Sequence, residues 1–301
     1  MSDMLRRTAL KAIGAGTAGL AGLASSNGVA ADNHVAQIQA IHAVPDAPAV
    51  DIYADDDLVA EDVAFKDITS LTLPSGATSF SVTPTGSGPG AAVASWDLTF
   101  EGGESYTLVV LGELSEGTVE IKQFTDETSV GGRFAGSSAL ARVVHAVPDE
   151  DDVDITVTVS TANTDREADV PNRVRSDLLS LIDLFKGTAG GYVPQFVRNR
   201  VQTPGLFQFL ADVPEILVRL TLFNGVEYAT ASDYLKVPSG PYTFQLRRET
   251  EDAIPADDPF LFGDPLTLLP GETYTVVAVG YGSTGDEPVD EPVDVVVASS
   301  S

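Results

Sequence analysis

The sequence predicts an all-β chain: two Ig-like antiparallel β-sandwich domains in tandem, the second with a mainly helical insertion. Three observations lead there. Short runs rich in Val, Thr, Phe and Tyr, such as "SFSVTP", "YTLVVLG" and "ILVRLTLF", show partial alternation. Pro and Gly punctuate them at turn-like intervals, as at Pro74-Ser75-Gly76, Pro238-Ser239-Gly240, Asn224-Gly225 and Pro270-Gly271. Three blocks then recur in the same order, with no strand–helix alternation of the βαβ kind.

Residues 1–31 read as an export signal. Arg6 and Arg7 precede Leu10 and Lys11, a weakly apolar run follows from Ala12 to Ala24, and Val29 and Ala31 fit a small-residue cleavage site. The pattern resembles a twin-arginine signal, so the mature chain is expected to start near Asp32. The apolar run is shorter than the roughly 18 residues of a membrane span. Gly14, Gly16 and Gly19 match G-x-G-x-x-G, but no strand precedes them, so dinucleotide binding is rejected.

The first module is placed at 32–130 and the second at 140–283. "IHAVPDAPAVDI" (Ile41 to Ile52) returns as "VHAVPDEDDVDI" (Val144 to Ile155), and "LTLPSGATSFSV" (Leu71 to Val82) as "LKVPSGPYTFQL" (Leu235 to Leu246). "LTFEGGESYTLVVLG" (Leu98 to Gly112) returns as "LTLLPGETYTVVAVG" (Leu266 to Gly280). The offset is 103 residues at His42 and His145 and 164 at Gly76 and Gly240, which puts about 61 extra residues inside the second copy.

A proline three residues after His42 and His145 forces extended or turning backbone, so each histidine ends a strand. His42, Asp46, His145 and Asp149 form a repeated motif with two readings. In one, the imidazoles bond the backbone of the turn or the nearby aspartates; in the other, the motif binds a ligand or surface. Recurrence together with the other blocks marks the motif as the opening of each module. Tyr106 and Tyr274, in Gly-Glu-x-Tyr-Thr, are either tyrosine corners or ordinary strand-start tyrosines, structural in both cases.

These residues, from His42 to Tyr53 through Leu58 to Thr69, Leu-Pro-Ser-Gly and Gly-Glu-x-Tyr-Thr, resemble the domain-of-unknown-function family 4397. The likeness is close over 38–125 and good over 141–157 and 220–282; Glu150-Asp151-Asp152 departs from Ala47-Pro48-Ala49. The resemblance implies secreted, often tandem, Ig-like β modules and supplies no catalytic residues.

The insertion is expected at about 163–214, where the β pattern stops. Val174, Leu178, Leu181, Ile182 and Phe185 recur at helical spacing before Gly187. From Asn172 to Leu210 five basic residues stand against two acidic ones, which fits either a helical cover over a sandwich or a docking surface. Residues 284–301, with Asp-Glu-Pro-Val repeated, read as an acidic flexible tail.

The formal net charge is −27, from 44 acidic and 17 basic residues. The acids spread along the whole chain and lysine is scarce, as on a halophile's hydrated surface; cation or basic-partner binding is the other reading. No positive footprint for nucleic acid exists. Cysteine is absent, which removes disulfides, thiolate metal sites and a cysteine nucleophile. G-x-S-x-G and H-E-x-x-H are absent as well. Asp55-Asp56-Asp57, Asp149-Glu150-Asp151-Asp152 and Asp257-Asp258 lack the spacing that wraps one calcium ion, so no catalytic residue, metal or cofactor is assigned, calcium being the one ion considered. The expected function is a non-enzymatic, exported binding, adhesion or envelope module that contacts a cell-envelope glycoprotein, glycan or surface protein. The alternative is an extracellular enzyme acting on polysaccharide or peptide with carboxylates between the modules.

Overall fold

A short run opens each half of the molecule, VAQIQAIH in the first and SALARVVH in the second, and each becomes a central strand of a sheet. The computed structural model describes residues 35–128, 138–160, 217–248, 260–283 and 287–300. In the first module β1 (Val35–His42), β4 (Ile68–Pro74), β7 (Ser105–Leu111) and β8 (Glu120–Thr125) form a sheet in the order β4-β1-β7-β8. Facing it, β2 (Val50–Ala54), β3 (Asp57–Val63), β5 (Gly76–Pro84) and β6 (Ala94–Phe100) form the sheet β3-β2-β5-β6.

The second module repeats this strand for strand. β9 (Ser138–His145), β12 (Leu235–Pro238), β15 (Thr273–Val279) and β16 (Asp294–Ser300) form the sheet β12-β9-β15-β16. β10 (Asp152–Ser160), β11 (Leu217–Glu227), β13 (Gly240–Arg248) and β14 (Phe260–Leu268) form the sheet β11-β10-β13-β14. Pairing is antiparallel except at β1–β7 and β9–β15, which run parallel. Parallel pairing is possible there because the partners are far apart in sequence and need no hairpin.

Local chemistry explains the joints. Asp55 and Asp56, with φ of 51° and 68°, make the two-residue hairpin between β2 and β3, a geometry that requires positive φ at both central positions. At the same point in the second module, between β10 and β11, the chain carries residues 161–216 instead. The helical insertion expected at 163–214 therefore lies outside the described residues. Ser75 and Ser239 alone join β4 to β5 and β12 to β13, so the chain changes sheets at Pro-Ser-Gly.

Two sequence expectations differ from the structure. Asn224-Gly225 is not a turn between strands: it lies within β11, where Gly225 (φ 60°) matches Asp62 (φ 54°) of β3 beside a register shift. The end of the chain also departs from a flexible tail, because Asp294–Ser300 is β16 and pairs with β15 over its whole length. Composition obscured this. The Asp-Glu-Pro repeat reads as spacer, yet Val296 and Ala298 are buried and Val295 and Val297 pack against the second module's core.

Each module has its own core. Ile38, Ile52, Phe80, Phe100 and Leu108 fill the first, and Val143, Ile155, Phe244, Leu268 and Val276 the second. A third cluster lies between the modules, with Ile41, Val109 and Leu111 against Val144, Val277 and Val279. Central strands β1, β7, β9 and β15 therefore contribute apolar side chains to their module's core from one face and to the cluster between the modules from the other. The result is four stacked sheets, with the β1/β7 sheet packed against the β9/β15 sheet.

Candidate functional site

The repeated motif makes two matching corners. Val44 N–H donates to His42 Nδ1 (3.3 Å), and the opposite nitrogen, Nε2, lies 3.4 Å from the Pro48 carbonyl. In the second module Val147 N–H donates to His145 Nδ1 (3.3 Å), and Nε2 lies 3.1 Å from the Glu150 carbonyl. Nδ1 accepts, so the proton sits on Nε2 and the ring is neutral. Burial lowers the pKa of both rings, His145 to about 4, outweighing the carbonyl bond and nearby aspartates that favour the charged form. Phe65 and Tyr228 close the corners edge-on against the two imidazoles.

Asp46 and Asp149 do not bond the histidines. Asp46 accepts the Leu114 and Ser115 N–H groups (2.7 and 2.8 Å), tying the corner to the turn after β7. Asp149 accepts the Gly282 and Ser283 N–H groups (both 2.8 Å) and the Ser283 hydroxyl, after β15. Partial burial would raise the pKa of Asp46, but the two N–H bonds win and hold its carboxyl below the usual value. The motif is thus a clamp between the start and the end of each module.

Tyr106 Oη accepts the Glu101 N–H (2.9 Å) and Tyr274 Oη the Leu269 N–H (2.9 Å), each five residues upstream. That is the bond of a tyrosine corner. Sequence reasoning passed over Asp51 and Asp154, although both stand in the repeated Val-Asp-Ile. Asp51 accepts the Asp62 and Gly86 N–H groups (2.9 and 2.7 Å), and Asp154 accepts the Gly225 N–H (2.8 Å), so each pins a bulged strand.

One further carboxylate in each of two acidic loops is similarly engaged. Asp55 accepts the Ser79 N–H (2.8 Å), and Glu150 makes a two-armed ion pair with Arg248; Asp257-Asp258 lies outside the described residues. Among the described residues, no group of three or more His, Cys, Asp or Glu side chains is arranged to hold a metal ion.

The chemically richest place is the face between the modules. Arg142 on β9 pairs with Asp126, just past β8, both nearly fully buried. Arg142 also donates from Nε to Thr275 Oγ1 (3.0 Å) and from Nη1 to the Thr125 carbonyl (2.8 Å). Thr107 donates to Asp126 (2.9 Å), as does the Tyr234 hydroxyl (3.4 Å), and Arg142 lies over the Tyr234 ring, 4.6 Å from its centroid. On the opposite flank Gln39 donates to the Ser299 carbonyl (2.8 Å), and Lys66 reaches Glu291 (3.4 Å) and Asp294 (3.2 Å). Between the flanks the Tyr281 hydroxyl donates to Glu113 (3.1 Å). Nothing in the motif pattern marked Arg142 or Asp126; the one available signal was a basic residue in an otherwise apolar strand.

The family described as "Domain of unknown function (DUF4397)" matches residues 36–156 and 208–295, most of the chain. The chain belongs to this family. The first matched stretch covers the first DUF4397 module and continues through β9 into β10, the second runs on to the start of β16, and the gap between them, residues 157–207, overlaps most of the segment between β10 and β11. None of the curated proteins matches the sequence. Among solved structures, the Bacillus anthracis TIE protein aligns at 9% identity and a TM-score of 0.20, covering 82% of this chain. The chain spans 34% of that protein's length. A candidate cell adhesion protein from Bacteroides eggerthii aligns at 10% identity and a TM-score of 0.20, covering 91% of this chain and 98% of its own.

Proposed function

We propose that this DUF4397 protein is a non-enzymatic, exported surface or extracellular protein that binds a cell-envelope glycoprotein, glycan or other surface protein through its outward sheet faces. The observation that carries the reading is the filling of the space between the modules. An enzyme with carboxylates converging there needs an open cleft, but aliphatic side chains occupy it, and Asp126 and Glu113 are engaged by Arg142 and Tyr281. What remains outward on the first module includes Ser79, Ser95, Asp97 and Thr99, exposed and aligned across β5 and β6. Such a flat, hydroxyl-rich surface suits binding of an extended polar partner. The leader and the family support export. No helix among the described residues is long and apolar enough to cross a membrane.

The reading assigns no catalytic residue, metal or cofactor. Its test is capture of envelope glycoprotein and glycan fractions in molar salt by the exported protein, by a Ser79→Arg/Asp97→Arg variant, and by a chain lacking residues 163–214. Capture should survive a chelator and drop at least tenfold in the face variant. Undiminished capture by the face variant, or capture lost on chelation, would overturn the proposed face.

A further inference from the structure

The face between the modules joins equivalent positions. Strand-for-strand correspondence pairs Ile41 with Val144, Ala43 with Ala146, Val109 with Val277 and Leu111 with Val279, and all eight residues belong to the one buried cluster. Gln39 of β1 donates to the carbonyl of Ser299 in β16, and its counterpart Arg142 of β9 donates to the carbonyl of Thr125 in β8. Thr125 is in turn the counterpart of Ser299, since each lies opposite its module's corner tyrosine. Glu113 and Tyr281, which touch each other, both directly follow the glycine that ends β7 or β15. A contact between counterparts lies on a two-fold axis. The modules therefore meet as the subunits of a two-fold dimer do, each offering the same patch to the other.

Such a patch is self-complementary, so a first module is shaped to receive a second copy of itself. We propose that Arg142, Asp126 and Glu113 are the specificity-determining residues that make the first module pair with the second instead of with the first module of another chain. Replacing the second module by another first module puts Gln39 where Arg142 stands, on both flanks. Both buried Asp126 carboxylates then lose their cation, and leaving a buried charge unpaired is strongly unfavourable. The same exchange brings two Glu113 carboxylates together on the axis, where Glu113 now meets a tyrosine hydroxyl. Pairing two second modules instead puts Ser300, the counterpart of Asp126, opposite Arg142 and strands the guanidinium. The apolar residues supply adhesion to any copy, and the three polar ones reject the wrong copies.

The test places a protease site within residues 129–137 of the full chain, cleaves the folded protein, and refolds the two fragments together in molar salt. Native mass spectrometry then separates the mixed pair from the two like pairs by mass. Wild-type fragments should give mixed pairs in at least tenfold excess over either like pair. In E113Q/D126S/R142Q the excess should fall to within about threefold of the statistical ratio. A statistical mixture from the wild type, or an undiminished preference in the triple variant, would overturn the proposal. A second measurement guards against poor refolding and uses the intact chain: D126S and R142Q should each lower the melting temperature, and the double variant should fall by clearly less than the sum. Additive losses would show that the pair is not coupled across the face, and would equally overturn it.

Discussion

At the scale of single residues, His145 carries the sharpest consequence. It is fully buried and neutral, it accepts the Val147 N–H, and its other nitrogen faces the Glu150 carbonyl. Folding lowers its pKa from 6.5 to about 4, so below pH 6.5 the unfolded chain binds a proton that the folded chain refuses. Its contribution to stability is complete above pH 6.5 and declines as pH falls towards about 4, by about 3 kcal/mol for a shift of this size. Acidification also relieves repulsion among the 44 acidic residues, which acts in the opposite sense. The two are separated by comparing the wild type with His145→Gln in urea between pH 7 and 4. The stability advantage of the wild type should shrink across that range, and an advantage independent of pH would contradict the corner described above.

At the scale of elements, the connection from β15 to β16 is set by Gly280. Its φ is +92°, and a Cβ there would lie 2.5 Å from the Pro292 carbonyl oxygen. Gly112 is its counterpart, with φ +105° and Thr118 O at the same 2.5 Å. Gly280→Ala is expected to destabilise by about 1–3 kcal/mol from backbone strain alone, with the steric contact added. Because β16 forms part of the face between the modules, the loss should appear as a lower urea midpoint for the whole protein, not as fraying of the last strand alone. An unchanged midpoint would show that the turn is not rigid.

At the scale of the whole molecule, charge and architecture act together. A net charge of −27 repels itself, and the four-sheet stack brings both modules' acids into one body. At 1 M salt the Debye length is about 3 Å and that repulsion is screened. The expected outcome of dialysis to low millimolar salt is loss of the β circular-dichroism signal, with Arg142–Asp126 too deeply buried to be weakened by salt itself. A full β signal at low salt would count against a halophile's adaptation.

The repeat determined the double module and the Pro-Ser-Gly joints, because turn chemistry and strand alternation are local and survive in sequence; that Tyr106 and Tyr274 are tyrosine corners took the hydrogen bonds to Glu101 and Leu269 to decide. His-Ala-Val-Pro-Asp was legible as a module opening, but its aspartate's partners, Leu114 and Ser115, lie 68 and 69 residues away and no spacing rule reaches them. Runs such as "YTLVVLG" and "YTVVAVG" were legible as strands, yet a run does not say what covers its second face. Only the tertiary structure decided that β16 completes the second module and that each module's spare face is filled by the other. The reason is physical: burying an apolar face is non-directional, so its partner is chosen by shape and by a few polar residues, here Arg142, Asp126 and Glu113, that meet only when the sheets stack.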